Sequence, residues 1–353
     1  MSASLSAAVA EGAPRLSICI ATRNRCAYLE QTLASALAQC DARVEIVVVD
    51  GASDDDTPAV MARLCTGDPR VRYFREVSNG GIDQDYDKAV GYARGEYCWL
   101  MSDDDWFLPG ALARVLKATD AAPSLVVVDA EVRDAVQAEI LLARRLELPA
   151  DTTFAPEELE ALFCATARQL SFIGSAIVHR ALWLARERSA YYGSFFIHVG
   201  VIFQQPLPAP AVVLTTPCLA IRYGNASWTA RAFEIWICRW PQLVWSLPSV
   251  SVAAKRSVTQ ERPYESLREI VLLRAKGAYD WAGYRRWVAP GPSTTTRKLL
   301  CAAVARAPGS VINLLSIAYV LAFSRARRFA LVDLLDSPYF PFKFLRRSPQ
   351  PRT

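Results

Sequence analysis

Histidine is scarce in this 353-residue sequence, and no two cysteines are spaced as C-x-x-C. With two histidines and nine scattered cysteines, neither a histidine-rich metal centre nor a cysteine-based zinc site is expected. An odd number of cysteines without close pairs favours a reducing compartment over a disulfide framework. The first residues lack the positive start and long apolar core of a secretory signal, so we expect a cytoplasmic protein.

Two common nucleotide-binding motifs are also missing. The sequence contains neither G-x-G-x-x-G nor a Walker loop, so it supports neither a dinucleotide fingerprint nor a P-loop kinase. Charged residues make up 21% of the chain and hydrophobic residues 52%, which excludes a wholly disordered protein. The chain therefore folds, and its length allows one large domain or two smaller ones.

Positive charge is concentrated near the C-terminus. The net charge is +5, and residues 297–353 alone hold ten basic and two acidic residues. Within them, residues 307–324 are uncharged but begin with a Pro-Gly pair, and a membrane-spanning helix needs about 20 apolar residues. We predict that residues 261–353 form a basic helical region that contacts a membrane surface peripherally, on the inner face of the cell membrane.

One other interpretation of this region remains open. It could be an ordinary helical hairpin docked on the protein, with its basic edge in solvent. Contact with nucleic acid is not expected, because no recognised nucleic-acid-binding fold accompanies the basic residues.

The first 130 residues alternate between short apolar runs and amphipathic segments. The apolar runs are rich in β-branched residues, as in parallel strands that are covered on both faces. Strands are predicted at 16–21, 44–49, 71–75, 96–101 and 125–129, with helices at 26–39, 57–65 and 83–94 and after Pro109. Gly95 is expected to cap the helix that precedes it. This alternation predicts a doubly wound α/β sheet, in which ligands bind beyond the carboxyl ends of the strands.

Acidic residues follow two of the predicted strands. Ser102-Asp103-Asp104-Asp105 comes directly after the fourth strand, and Asp50 ends the second, where it could accept from a base or ribose. Mg²⁺ and Mn²⁺ bind through one or two carboxylates and substrate phosphates, so we predict one of these ions here. The alternative for the aspartate run is electrostatic support of the helix that starts near Pro109.

Polar residues also follow the first strand. Thr22-Arg23-Asn24-Arg25 could bind diphosphate oxygens at the same edge, or could simply be exposed to solvent. Farther along, His198 lies in an aromatic stretch, residues 191–200, that could line a sugar pocket. A histidine among apolar residues is also commonly a hydrogen-bonded core group.

Taken together, these segments resemble the family 2 glycosyltransferases, enzymes of GT-A fold that transfer a sugar from a nucleotide diphosphate donor. The matching segments are residues 16–25, 44–57, 79–81, 95–97, 102–105 and 109–112. Residues 79–112 and 221–228 are most similar to abequosyltransferase-type enzymes of bacterial O-antigen assembly.

The resemblance implies a GT-A, nucleotide-diphospho-sugar transferase fold: a Rossmann-like α/β sheet with a helical C-terminal extension. It further implies a flexible N-terminus in residues 1–14 and a donor-binding half in 15–132. An acceptor-binding half would occupy residues 133–260, followed by the membrane-associating region 261–353.

The resemblance also assigns roles to individual residues. Nucleotide binding would fall to Thr22, Arg23, Asn24, Asp50, Asn79 and Asp103. Asp104 and Asp105 would hold the metal, and Asp105 and His198 would be catalytic. The family pattern Asp-x-Asp-Asp can be aligned with this run in two registers. In the first, its last two aspartates align with Asp104 and Asp105, which places Ser102 at its first position. The second register is Asp103-x-Asp105. The usual Glu-Asp pair that supplies the base is missing, which leaves His198 as the candidate.

The implied activity is metal-dependent transfer of a sugar, for which a dideoxyhexose is one candidate, from a nucleotide diphosphate to a lipid-linked oligosaccharide in bacterial surface polysaccharide (O-antigen) synthesis. One alternative is a non-catalytic scaffold that binds a sugar nucleotide or glycan at the membrane. Another is a sugar nucleotidyltransferase, which would release pyrophosphate. The intact acidic cluster favours an enzyme over a scaffold.

Overall fold

A computed structural model describes residues 13–224, 228–323 and 327–342 of the chain. The predicted flexible N-terminus lies almost wholly outside these ranges. So do residues 225–227 of the abequosyltransferase-like segment and the basic residues Arg325, Lys343, Arg346, Arg347 and Arg352.

Strands and helices alternate through the first third of the chain, as the apolar pattern predicts. The strands are β1 (Leu16–Thr22), β2 (Val44–Asp50), β3 (Val71–Arg75), β4 (Tyr97–Met101), β5 (Trp106–Phe107) and β6 (Leu125–Arg133). The helices are α1 (Cys26–Leu37), α2 (Thr57–Gly67), α3 (Ile82–Tyr92) and α4 (Ala111–Thr119). Every residue of β1, β2 and β4 is buried, because helices cover both faces of the sheet.

The second part of the chain adds strands to the same sheet. Its elements are β7 (Ile140–Leu142), β8 (Thr152–Phe154), α5 (Leu159–Leu170), β9 (Ala176–His179), α6 (Arg180–Ala185), α7 (Ile197–Phe203), β10 (Ala211–Arg222), α8 (Trp240–Ser246) and α9 (Val252–Val258). The path through the sheet is β3-β2-β1-β4-β9-β6-β10-β5, and β8 also pairs with β10.

Strand direction determines which residues meet at one edge. β1 pairs in parallel with β2 and β4, so that Thr22 is opposite Asp50 and Ile20 is opposite Met101. The carboxyl ends of these three strands therefore lie at the same edge of the sheet. β9 runs antiparallel to β4, and β10 runs antiparallel to β5, so β10 brings its own carboxyl end to the segment that follows β4.

Gly95 does not cap α3, contrary to the prediction. The helix ends at Tyr92, and its C-cap residue, Ala93, has an extended backbone. Gly95 instead lies against β1, where an added Cβ would approach the backbone of Leu16 and Ser17 to within 2.9 Å. The glycine is required by this close contact and not by a left-handed conformation.

The described residues form two compact units. One comprises residues up to 132, 142–222 and 246–258; the other comprises residues 133–141, 223–245 and 259 onward. The core of the first unit consists of the apolar residues of β1, β2, β4 and β6 with the inner faces of α1 and α4. The predicted division into donor-binding and acceptor-binding halves remains a prediction.

The second unit is mostly helical near the C-terminus. It contains α10 (Leu267–Lys276), α11 (Trp281–Gly283), α12 (Thr295–Arg306), α13 (Gly309–Phe323) and α14 (Arg327–Leu335). Asn313 is buried and donates to the carbonyl oxygens of Ala275 and Leu334, which ties α13 to its neighbours. Within the described ranges, no helix alone has the length and apolar character to cross a bilayer; α12 and α13 meet those criteria only as a pair bent by 101°.

Candidate active site

The ends of β1 and β4 are joined through Asp103. The hydroxyl of Thr22 donates to Oδ2 of Asp103 over 2.7 Å, and Nε of Arg25 lies 3.0 Å from Oδ1. Both carboxylate oxygens are therefore contacted by residues at the end of β1 or just after it. The predicted proximity of these two strand ends is present in the structure.

Two arginines flank the next carboxylate. Arg25 forms an ion pair with Asp104, and Nε of Arg222 donates to the backbone oxygen of Asp104 over 3.1 Å. The ring of Tyr28 lies 4.9 Å from the Arg25 guanidinium and 5.1 Å from that of Arg222. The Arg222 guanidinium also lies 5.3 Å from the Trp106 ring, so aromatic faces hold both cations beside the aspartates.

Asp105 is fixed by three separate parts of the fold. The backbone N–H of Arg222, at the end of β10, donates to Oδ1 over 2.7 Å, and the hydroxyl of Ser102 donates to Oδ2. The hydroxyl of Thr32, on α1, donates to the Asp105 backbone oxygen over 2.8 Å. The side chain is thus positioned by its own loop and by β10, while α1 fixes its backbone.

The three adjacent carboxyl groups form an electrostatically strained cluster. Burial, followed by the charge of Asp104, raises the pKa of Asp103 to about 7. The same two causes raise the pKa of Asp105 well above its ordinary value. A cation at this edge would favour the ionised forms of both groups.

The donor set fits a hard divalent ion. Carboxylate oxygens are the ligands that Mg²⁺ and Mn²⁺ prefer, and both ions commonly take the rest of their shell from water and phosphate. Across the part of the chain that the structure describes, no three His, Cys, Asp or Glu side chains are grouped to hold a metal by themselves. An ion here would therefore depend on Asp104 and Asp105 together with ligands from the substrate.

Asp50 stabilises the loop that follows β2 by accepting hydrogen bonds. The backbone N–H and hydroxyl of Ser53 donate to Oδ1 over 2.8 and 2.6 Å, and the hydroxyl of Tyr73 donates to Oδ2 over 2.5 Å. The Asp50 carboxylate has no solvent exposure. Its predicted contact with the base or ribose remains a prediction, and protein groups already bond both of its oxygens.

Asn24 links the loops that follow β1 and β2. Its backbone is left-handed, with φ of 57°, and its N–H donates to the hydroxyl of Ser53 over 2.9 Å. Its side-chain oxygen accepts from the backbone N–H of Asp54 over 2.7 Å. The neighbouring Arg23 is exposed and is available to an anionic ligand at this edge.

Asn79 and Asp85 lie over the glycine that follows Asp50. A Cβ added at Gly51 would be 2.7 Å from Oδ2 of Asp85 and 3.6 Å from the side-chain oxygen of Asn79. The same Asn79 oxygen accepts from the backbone N–H of Gly81 over 3.0 Å, which shapes the turn before α3. Both side chains thus reach the carboxyl end of β2.

His198 is enclosed in the protein, with 1% of its surface exposed. Its Nε2 lies 2.5 Å from the backbone oxygen of Leu170, and Nδ1 has no hydrogen-bond partner. Burial lowers the pKa of His198 to about 4, so the imidazole is neutral at physiological pH. The structure records a bond from His198 to α5 and none to the aspartates, so its catalytic role remains a prediction.

Two residues at this edge were not predicted, and a third makes contacts that were not predicted. Arg25 was expected here with its segment as a possible ligand of diphosphate oxygens, and in the structure it pairs with Asp103 and Asp104. Arg222 reaches the site from a distant antiparallel strand, which no local pattern indicates. Asp85 lies in the first turn of α3, where an acidic residue is ordinarily explained by the helix dipole.

Comparisons with known proteins point to one family. Residues 17–190 match the family model described as "Glycosyl transferase family 2". The abequosyltransferase RfbV of Salmonella typhimurium is 27% identical over 272 residues, covering 70% of this chain and 81% of that protein. The predicted resemblance is thereby confirmed, including its abequosyltransferase-type part.

Other relatives match over shorter stretches of the chain. The succinoglycan biosynthesis protein ExoO of Rhizobium meliloti is 35% identical over 33% of this chain and 33% of its own length. GalNAc(5)-diNAcBac-PP-undecaprenol beta-1,3-glucosyltransferase of Campylobacter jejuni is 34% identical over 30% of this chain and 34% of its own length. This chain therefore spans about a third of the length of each of these two proteins.

The fold is also found among solved structures. Residues 1–349 of S. aureus TarS superpose with a TM-score of 0.50 and 12% sequence identity, covering 91% of each chain. A longer TarS structure gives a TM-score of 0.51 with 15% identity, covering 91% of this chain and 55% of that one. The predicted GT-A fold, with its α/β sheet and helical C-terminal region, is confirmed.

Proposed function

We propose that this chain, which matches the family 2 glycosyltransferases over residues 17–190, transfers a sugar from a nucleoside diphosphate donor to an acceptor hydroxyl. The observation that carries the proposal is the convergence of strand-end groups on the aspartate run. Thr22 and Arg25 reach it from β1, and Arg222 reaches it from β10. An acidic edge with cations beside it suits a metal-bound diphosphate.

The proposed reaction is displacement at the anomeric carbon of the donor. The acceptor oxygen forms the new bond to that carbon, and the bond to the diphosphate oxygen breaks. Mn²⁺ or Mg²⁺ held by Asp104 and Asp105 would neutralise charge on the departing nucleoside diphosphate. Asp103 would position the cluster through Thr22 and Arg25, and Arg23 and Asn24 would contact the nucleotide.

His198 is the proposed base for the acceptor hydroxyl. The carbonyl oxygen of Leu170 can only accept, so a hydrogen bond to it places a proton on Nε2 of His198. The lone pair then lies on Nδ1. Because Nδ1 is enclosed in the protein, the transfer of the acceptor proton to it would require local opening around His198. Asp105 is the second proposed catalytic residue, through its place beside the leaving group.

A lipid-linked glycan is the proposed acceptor. The name of the Campylobacter jejuni relative specifies a glycan on undecaprenol diphosphate, and that of the Salmonella relative specifies abequose transfer. By analogy with these two proteins, this chain would add a sugar, for which a dideoxyhexose is one candidate, during bacterial O-antigen or related polysaccharide synthesis. It would then work at the inner face of the cell membrane.

The helical C-terminal region supports contact with that membrane. α12 and α13 leave several large apolar side chains at least 40% exposed: Leu299, Leu300, Val311, Leu314, Leu315, Tyr319, Leu321 and Phe323. These residues define the apolar surface of α12 and α13. Lys298 and the exposed Arg306 lie on α12 as well, and apolar faces flanked by cations bind anionic bilayers.

Product analysis tests the proposed activity and separates it from a nucleotidyltransferase. The purified chain is incubated with a panel of nucleotide sugars and Mn²⁺, with and without undecaprenol-linked glycan. Release of nucleoside diphosphate by the wild type, and its loss in Asp104→Asn but not in Asp56→Asn, would support the proposal. A parallel incubation contains nucleoside triphosphates and sugar 1-phosphates in place of nucleotide sugars. Release of pyrophosphate there, without release of nucleoside diphosphate in the first incubation, would instead indicate a nucleotidyltransferase. Absence of turnover in both incubations would leave a binding scaffold.

A further inference from the structure

Phe195 has a strained backbone conformation. Its φ is 69°, in the left-handed region, and it is the only aromatic residue among the described non-glycine residues with positive φ. A bulky side chain is rarely found in this region, whereas glycine adopts it freely, as Gly193 does two residues earlier with φ of 81°. Closing the loop therefore does not require a phenylalanine at this position. Strained residues of this kind cluster at ligand-binding sites, where the strain serves function.

The buried carboxylate of Asp83 holds this conformation. Only 3% of Asp83 is exposed; its Oδ2 accepts from the backbone N–H of Phe195 over 2.9 Å, and its Oδ1 accepts from that of Ile197 over 3.1 Å. Burial raises the pKa of Asp83, although hydrogen bonds from backbone N–H groups of this loop act to lower it. The loop of residues 193–197 is therefore closed around one carboxylate of α3.

This loop is joined to the ligand-binding edge of the sheet. β3 runs parallel to β2, so α3, which follows β3, starts from the edge where these strands end. Asp83 is in the first turn of α3. Two residues further along the helix, Oδ2 of Asp85 lies 2.7 Å from the Cβ position of Gly51, the glycine that follows β2. Residues 193–197 are thus bonded to a helix end that adjoins the loop after β2.

The order of the chain favours the acceptor over the donor as the ligand of residues 193–197. The proposed contacts to the donor and its metal follow β1 and β4, whereas this loop leads into α7, in the second part of the chain. The residue after the loop is His198, the proposed base for the acceptor hydroxyl. Phe195 is partly exposed, and aromatic side chains commonly line the binding sites of small molecules.

We propose that Asp83 is a positioning residue for sugar transfer, which holds residues 193–197 so that the side chain of Phe195 contacts the acceptor glycan. This inference rests on the proposed function, since it identifies the part of the same site that receives the acceptor. Asp83 does not touch the substrate. It acts through the backbone of Phe195, whose conformation the carboxylate maintains.

Steady-state kinetics with an undecaprenol-linked glycan, Mn²⁺ and the nucleotide sugar that the wild type uses test the proposal. Asp83→Asn and Phe195→Gly should each raise the KM for the glycan at least about fivefold. Both should change kcat less than about threefold and the calorimetric affinity for the nucleoside diphosphate less than about twofold, because the donor contacts are intact. Since glycine keeps a positive φ without strain, Phe195→Gly keeps the inference falsifiable if Asp83→Asn does not fold.

Asp87 provides the matched control on the same helix. Its carboxylate accepts from the indole N–H of Trp183 and from the hydroxyl of Tyr192, so it anchors the segment that precedes the loop. Asp87→Asn should leave the KM for the glycan within about twofold of the wild-type value. An equal rise in this variant would show that the loss of any carboxylate on α3 disturbs the site, and would overturn the inference.

The remaining outcomes separate this inference from the proposed function. An unchanged KM for the glycan in Phe195→Gly would overturn the inference and leave sugar transfer intact. Equal losses of donor and acceptor affinity in Asp83→Asn would show that Asp83 only stabilises the fold, and would overturn it as well. If the wild type transfers no sugar, the proposed function and the inference fail together.

Discussion

Asp85 is expected to reduce the stability of the protein at neutral pH. Burial raises its pKa to about 6, so the folded state holds this proton more tightly than the unfolded state. Stability is therefore lost as the pH rises from about 4 to about 6, and the loss persists above that range. Asp85→Asn should raise the free energy of unfolding by about 1–3 kcal/mol near pH 8.

Urea denaturation at two pH values measures this effect. The gain from Asp85→Asn should shrink towards zero as the pH falls to about 3, where the wild-type carboxyl is mostly protonated in both states. An equal gain at both pH values would show that charge is not its cause. A loss of stability at about pH 8 would mean that the carboxylate has a stabilising partner.

His198 is expected to affect turnover if it is the base. Replacing it with Gln should lower kcat by about 10²–10⁴-fold, the range that general base catalysis supplies. Because burial lowers its pKa to about 4, its titration should leave kcat/KM unchanged between about pH 6 and pH 8. Full activity in His198→Gln, with a lower melting temperature, would identify it as a core group.

Residues at the site differ in how far sequence could predict them. Thr22 and Asp103 follow strands that run parallel, and parallel strands end at one edge, so their meeting could be predicted. Arg222 is brought there by β10, which pairs antiparallel with β5 across a long stretch of chain. Asp85 differs from an ordinary carboxylate in the first turn of a helix only in that its Oδ1 lacks a hydrogen-bond partner. No sequence pattern shows that difference.

Gly95 shows how close packing between elements limits substitution. An added Cβ would lie 2.6–2.9 Å from atoms of Leu16 and Ser17 in β1. Gly95→Ala should therefore lower the free energy of unfolding by about 1–3 kcal/mol, as overpacking does. Gly67→Ala is the matched control, since nothing lies within 4 Å of its added Cβ.

Chemical denaturation of the two alanine variants checks this prediction. Gly67→Ala, at the end of α2, should be neutral or slightly stabilising, because alanine favours the helix by up to about 1 kcal/mol. A Gly95→Ala variant as stable as the wild type would mean that β1 and the segment before β4 can move apart to admit the added Cβ with no loss of folding free energy.

Local pattern predicted the early elements well and the later ones poorly. β1 to β4 and the helices between them follow apolar periodicity, and their observed bounds lie close to the predicted ones. β9 enters between β4 and β6 as an antiparallel strand, from a part of the chain where the alternation has faded. Its place depends on non-local pairing, which periodicity does not encode.

The apolar surface of α12 and α13 should bind lipid. Leu299 and Leu315 are 65% and 63% exposed, and burying a leucine side chain in hydrocarbon contributes about 2 kcal/mol. Changing both to Glu should lower binding to anionic vesicles by at least about tenfold. Val77→Glu is the control, because Val77 is fully exposed in the other unit.

Vesicle co-sedimentation of the wild type and the two variants measures this directly. Normal binding by Leu299→Glu/Leu315→Glu would show that this surface does not contact lipid. An equal loss of vesicle binding in Val77→Glu would indicate that added negative charge weakens binding wherever it is placed, and not that this surface contacts lipid.

The central claim is that the aspartate run binds the diphosphate of a sugar nucleotide through a divalent ion. Calorimetry of the preferred nucleoside diphosphate, with and without Mn²⁺, tests it in the wild type and in Asp104→Asn. The account predicts that Mn²⁺ tightens binding at least about tenfold in the wild type and has little effect in Asp104→Asn. Equal affinity with and without Mn²⁺ in the wild type would contradict it.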